Sequence, residues 1–198
     1  MTLANKLTFS RIILAPVFFI VYLLPVTIPS LPVTVIKCTV PALWLIFIIS
    51  EITDLLDGMA ARKYNEISDL GKFFDPFADT LMQITCFLCF VIDGIFPAFL
   101  FLLVIYREFS ILFIRNLMQR KGITLGARLG GKIKTVTYII AGGAALLTAS
   151  VQRLDIFTFL FPYFKIGAII IFIISVIFSI ISFIDYYSIY IKAEETKS

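Results

Sequence analysis

Six apolar runs constrain this chain more than any other feature: Ile12–Leu24, Val33–Ser50, Phe77–Ile92, Ile95–Ile114, Thr135–Val151 and Tyr163–Ile184. A helix crosses the hydrocarbon core with about 20 mostly apolar residues, and with fewer where neighbours support it. Composition agrees: 60% of the 198 residues are apolar, only 15% are charged and Phe alone occurs 21 times. A soluble domain carries about 25% charged residues, and one small core could not hide this much apolar surface. The expected fold is an all-α integral membrane protein of six transmembrane helices, one domain over residues 1–198. Pro25, Pro29 and Pro32 mark the first turn, Asp93-Gly94 a tight one, and Gln119–Gly131, with Gly122, Gly126, Gly130 and Gly131, reads as a loop. No small-x-small cleavage pattern follows the first run, so it is expected to be retained.

Charge placement orients the spans. Fourteen of the 17 Lys and Arg residues fall at the N-terminus, the 60–72 connection, the 115–134 region or the C-terminus, or near the membrane boundary on that side, leaving Lys37, Arg153 and Lys165. The positive-inside rule makes that side cytoplasmic, with both termini there, in a multi-pass protein of the cell membrane. A net charge of +4 does not suggest a nucleic-acid partner.

The absence of histidine excludes Ser-His-Asp triads, His-ligated zinc and histidine bases. Cys86 and Cys89 form a CxxC inside an apolar run without a second pair, which reads as packing. Proton transfer and metal binding therefore fall to the carboxylates, and their placement is unusual. Asp54, Asp57, Asp75 and Asp79 lie within 26 residues at the edge of apolar runs. An ionised Asp at the centre of a membrane helix costs about 2.5–3.5 kcal/mol, so four together need compensation. Asp54 and Asp57 are three apart and Asp75 and Asp79 four apart, so each pair shares a helix face. An antiparallel connection brings the pairs together, and an all-oxygen set suits Mg²⁺, Mn²⁺ or Ca²⁺. Gly58, Ala61 and Gly71 clear space for a ligand beside them.

The string Asp54-x2-Asp57-Gly58-x2-Ala61-Arg62-x8-Gly71-x3-Asp75-x3-Asp79 resembles the CDP-alcohol phosphotransferase signature at every fixed position. The resemblance implies a six-helix membrane enzyme, a homodimer, that transfers a group from a CDP-linked donor to an alcohol and releases CMP. It implies Asp54, Asp57, Asp75 and Asp79 as ligands of two Mg²⁺ or Mn²⁺ ions, with Asp79 also the general base. It sets Gly58, Ala61, Arg62, Ser68 and Gly71, with Asn5 and Thr8, against the CDP portion. The chemistry is coherent without the name. Hydroxyl attack on a pyrophosphate needs its charge neutralised, as two hard ions about 3.5–4 Å apart can do, and a base for the proton.

The opening Asn5-Lys-Leu-Thr8-Phe-Ser-Arg11 with Pro16, the pair Arg107-Glu108, and Gly130-Gly131-Lys132-Ile-Lys134-Thr135 are similar to phosphatidylglycerophosphate synthases. Thr80 departs, standing where that subfamily commonly has lysine. The resemblance implies CDP-diacylglycerol as donor and glycerol 3-phosphate as acceptor. A basic cluster of Arg107, Arg115, Lys132 and Lys134 suits an acceptor phosphate. Arg107 and Arg115, eight apart, fall within about 80° on one helix. Inositol phosphate, choline or serine as acceptor is the alternative, and a divalent-cation transporter a more distant one. A transporter would carry polar residues through the other half of the membrane, where this chain has almost none beyond Glu51 and Glu108.

Overall fold

The computed structural model describes residues 3–28, 30–64, 69–120 and 129–195, and among them there is no strand. Six long helices follow in order: α1 (Leu3–Thr27), α2 (Val33–Tyr64), α3 (Asp69–Ile92), α4 (Ala98–Arg120), α5 (Leu129–Leu154) and α6 (Phe161–Glu195). A short 3-10 turn, Thr158–Leu160, precedes α6. Five segments are long and apolar enough to cross a membrane: Leu7–Thr27, Val33–Asp54, Phe74–Ile92, Leu129–Leu154 and Thr158–Ile191. The helix α4 has the length, but Arg107, Glu108 and Arg115 interrupt its apolar run.

The helices outrun the apolar runs that announced them. The first continues through Pro25 to Thr27, and α2 continues past Ser50 to Tyr64, carrying Asp54 and Asp57 on helix as their spacing predicts. Gly130 and Gly131, expected in a loop, open the first turn of α5. Their Cβ positions point at Ser182 and the Tyr186 hydroxyl of α6, 3.5 Å away in each case. Small residues there let α5 and α6 approach closely.

The expected turn at Asp93-Gly94 is present, and its hydrogen bonds explain it. Gly94 has φ +69°. The Gly94 amide donates to the Val91 carbonyl at 3.0 Å and the Ile95 amide to Phe90 at 2.8 Å. This pair of bonds is a Schellman cap, which requires a left-handed residue that glycine supplies without strain.

Between the helices lies an aromatic core. Phe87 meets Phe96, Tyr138 and Phe172 edge-on, and Phe96 stacks on Phe172 with centroids 4.0 Å apart. In lipid the hydrophobic effect does not drive helices together, so close packing must. Ala141, Ala145 and Ala149, four apart on α5, form a fully buried small-residue stripe that permits it. Polar atoms on α6 are paired inward: Ser175 Oγ donates to the Thr137 carbonyl at 2.8 Å, and Tyr138 donates to Ser179 Oγ at 2.7 Å. Cys86 and Cys89 are buried and unbridged, as packing residues should be.

Arg153, left over from the charge asymmetry, has a structural role at the opposite end of the bundle from the acidic motif. Its guanidinium donates to the Tyr22 carbonyl at 2.9 Å, lies 4.1 Å from the Tyr22 ring centre and stands 3.9 Å from Asp93. Tyr22 in turn donates to Asp93 Oδ2 at 2.8 Å. One cation thereby ties α5 to α1 and to the turn after α3.

Gly142 tests the packing. An added Cβ there would lie 3.1 Å from the Phe47 ring, whereas at Gly143 nothing lies within 4 Å. Gly142→Val is expected to lower the melting temperature of the detergent-solubilised protein by several degrees, and Gly143→Val to change it little, because overpacking costs about 1–3 kcal/mol. Equal melting temperatures for the two variants would refute the proposed α2–α5 contact.

Candidate active site

Three helices bring the acidic residues together at one end of the bundle. The acidic part of α2 is its last few turns, Asp75 and Asp79 lie in the first half of α3, and α1 packs against both. On α1, Thr8 and Arg11 are one turn apart on a single face. Thr8 Oγ1 donates to Asp75 Oδ1. Arg11 Nη1 donates to Asp54 Oδ1 at 2.6 Å and also to Asp79 Oδ1. Arg11 is 1% exposed, while the side chains of Asp54 and Asp79 are 37% and 43% exposed. The carboxylates thus remain accessible to a ligand while a buried cation aligns them.

All three motif aspartates whose side chains are described, Asp54, Asp75 and Asp79, therefore meet α1. Ser68 lies outside the described residues. Of Asn5, Asp57, Gly58, Ala61, Arg62 and Gly71 only the helical backbone is described, so the donor-facing assignments among them lie outside the described side chains. Among the described residues no three Asp, Glu or Cys side chains form a compact ligand cluster. Asp54, Asp75 and Asp79 carry carboxylate oxygens, the ligand type that a hard cation takes.

Two cavities open beside this arrangement. The acidic one, about 90 Å³, is bordered by Arg11, Glu51, Asp54, Asp79 and Gln83. The basic one, about 220 Å³, is bordered by Arg107, Arg115, Lys132, Asp79 and Tyr186. Asp79, Lys134 and Thr135 border both, so they form the partition between them. All four predicted basic residues converge on the second cavity, but they are not equivalent. Arg107 and Lys134 are buried and share Glu108, each with a nitrogen 2.9 Å from Glu108 Oε1. Arg107 also donates to the Ser179 carbonyl at 3.1 Å and to Ser182 Oγ at 3.2 Å. Arg115 is half-buried and reaches the Tyr186 hydroxyl at 3.4 Å, and Lys132 is exposed. Arg115 and Lys132 are the cations best placed to meet a diffusing anion.

Several participants were not singled out from sequence. Arg11 stood only as part of an opening string, although an arginine inside an apolar helix one turn after Thr8 was itself a signal of buried pairing. Ser179, Ser182 and Tyr186 line one face of α6 at three- and four-residue spacing, a polar stripe legible in an otherwise apolar span. Gln83 offered no pattern.

Arg11→Met is expected to lower the melting temperature, because two neighbouring carboxylates would lose their shared cation. Breaking a buried pair costs about 3–5 kcal/mol, less where the carboxylates are partly exposed as here. An unchanged melting temperature would show that Arg11 does not hold the carboxylates together.

Comparison with known proteins identifies the family. The family profile described as CDP-alcohol phosphatidyltransferase matches residues 1–181. A CDP-diacylglycerol–glycerol-3-phosphate 3-phosphatidyltransferase of Treponema pallidum is 38% identical over 146 residues, 72% of this chain and 66% of that protein. The Bacillus subtilis protein of the same name is 34% identical over 193 residues, covering 94% and 93% of the two chains. That of Haemophilus influenzae is 31% identical over 187 residues, covering 91% and 88%. A match across nearly the whole apolar bundle, the acidic helices included, settles the family: the chain belongs to the CDP-alcohol phosphatidyltransferases.

Proposed function

We propose that the chain catalyses phosphatidyl transfer from CDP-diacylglycerol to sn-glycerol 3-phosphate, giving phosphatidylglycerol phosphate and CMP in phospholipid synthesis. The names of the relatives support the reaction. The observation that carries it is Asp79, which borders both the acidic and the basic cavity. A group that must meet an acceptor hydroxyl and a donor phosphate belongs at such a junction.

Asp54, Asp57, Asp75 and Asp79 would hold two Mg²⁺ or Mn²⁺ ions, whose chemistry is to neutralise pyrophosphate charge and polarise its phosphorus. The helix ends carrying Gly58, Ala61, Arg62 and Gly71, with Asn5 and Thr8, face the CDP portion. Arg115 and Lys132 bind the acceptor's phosphate by charge-assisted hydrogen bonds, while the buried Arg107–Glu108–Lys134 triad shapes the wall behind them. The acceptor hydroxyl then lies near Asp79, which takes its proton as the oxygen attacks the donor's β-phosphorus. The P–O bond to the CMP moiety breaks and CMP leaves. A pocket with several cations suits a phosphorylated acceptor, whereas serine or choline would leave them uncompensated.

The orientation follows from charge: with α4 as a sixth span, both termini and the cation-rich end lie on the cytoplasmic side. The active site then faces the cytoplasm from the cell membrane, and the working form is a homodimer.

An acceptor panel tests the reading, with CMP release from CDP-diacylglycerol as readout. Glycerol 3-phosphate is expected to support turnover and glycerol, serine, choline and inositol phosphate little; equal rates with glycerol would overturn the acceptor. Chelation by excess EDTA should abolish turnover and Mg²⁺ or Mn²⁺ restore it, and undiminished turnover would refute the metal requirement. Asp79→Asn should cost at least about 10²–10⁴-fold in rate, the usual contribution of a general base, with CDP-donor binding largely retained. Parallel loss of donor affinity would make Asp79 a binding ligand only. Arg115→Ala should raise the KM for glycerol 3-phosphate about tenfold, as loss of one charged hydrogen bond predicts, and leave that for CDP-diacylglycerol nearly unchanged. An unchanged acceptor KM would reassign Arg115 to lipid headgroups.

A further inference from the structure

Lys134 borders both cavities, and its ammonium is held from both sides. It donates to Gln83 Oε1 on α3 at 3.0 Å and stands 2.9 Å from Glu108 Oε1 on α4. Gln83 borders the acidic cavity and Glu108 the basic one. The Tyr138 ring, one turn along α5, lies with its centre 4.3 Å from Nζ. An ammonium has three N–H donors and no acceptor, so one oxygen on each side and an aromatic face define its place. Lysine has a long flexible stem, and Glu108, in contact at 2.9 Å, fixes its ammonium from the basic side alone. Gln83 supplies the second oxygen, on the acidic side. It sits within the apolar segment Phe74–Ile92, where a primary amide is unfavourable unless paired.

We infer that Gln83 is a positioning residue: it holds the Lys134 ammonium at the acidic cavity, so that the remaining N–H donor of this cation meets the donor's transferring phosphate, while Arg115 and Lys132 keep the acceptor's phosphate. Glu108 keeps the same ammonium within reach of the basic cavity. Loss of Gln83 leaves the ammonium held by Glu108 alone, with no oxygen on the acidic side to fix it beside the donor. The inference rests on the proposed reaction for the identity of the donor, but the link between Gln83 and Lys134 can be read by binding alone.

The experiment titrates the full chain in detergent with CDP and with CMP, in the presence of Mg²⁺, by calorimetry. The proteins are wild type, Gln83→Met, Lys134→Met and the double variant, with Gln83→Ala standing in should the Met variant fail to fold. CDP carries the second phosphate that CMP lacks. Gln83→Met is expected to weaken CDP about fivefold and CMP less than twofold, a fraction of a full charged hydrogen bond. In the Lys134→Met background the same substitution should change CDP affinity less than about twofold, since residues acting through one another are non-additive. Equal losses for CDP and CMP, an unchanged CDP affinity, or the same loss in both backgrounds would each overturn the inference. CMP release by the wild type with glycerol 3-phosphate is scored in parallel. Coupling without turnover would keep the role of Gln83 and defeat the proposed reaction; turnover without coupling would do the reverse.

Discussion

Charge pairing at one end of an apolar bundle governs the rest of this structure. Ionised groups at the membrane boundary are tolerated only when paired or solvated, and here a single buried arginine on α1 reaches carboxylates on both α2 and α3. Arg11 and Thr8 together touch every described aspartate of the acidic motif. The relative height of three helices is thereby fixed where chemistry requires it. At the opposite end Arg153 fixes the same helix α1 against α5 and the turn after α3. Between these two polar ties the contacts are mainly aromatic and small-residue packing, joined by interhelical hydrogen bonds from Tyr138 and Ser175.

The division of the interior into an acidic and a basic cavity follows from which helix supplies which charge. The acids come from α2 and α3, the bases from α4 and α5, and the two sets meet at Asp79 and Lys134. Glu108 keeps this arrangement from becoming an uncompensated basic patch. By accepting from both Arg107 and Lys134 it neutralises part of the buried charge, while Arg115 and Lys132 border the same cavity without meeting Glu108. Ser182 Oγ accepts from Arg107 and Ser179 Oγ from Tyr138, which accounts for these polar side chains in the most apolar of the described helices.

Local rules made much of this legible. Residue spacing alone predicted that Asp54 and Asp79 approach each other, that Asp93-Gly94 turns tightly, and that the four basic residues gather at one place. Hydropathy marked the helices but not their ends, because α2 continues as helix well beyond its apolar part and carries the motif with it. Helix propensity and internal hydrogen bonding do not stop where apolarity does. Partners of buried charges were the least legible, since Arg11, Gln83 and the serines of α6 meet residues 43 to 75 positions away. Such pairing is a property of helix packing, and no window along the sequence contains it. Arg153 illustrates the same point: by the charge-asymmetry rule it was an exception, and in the fold it is a tie.

The proposal that the carboxylates aligned by α1 form one divalent-cation centre carries the mechanism, and it can be tested apart from turnover. Electron paramagnetic resonance of the Mn²⁺-loaded protein reports directly on whether bound ions share ligands. Two Mn²⁺ per chain with an exchange-coupled signal are expected, reduced to a single uncoupled ion by Asp79→Asn. A wild-type protein showing only one isolated Mn²⁺, or none, would contradict the two-ion centre and with it the role of Asp79 as a ligand of the second ion.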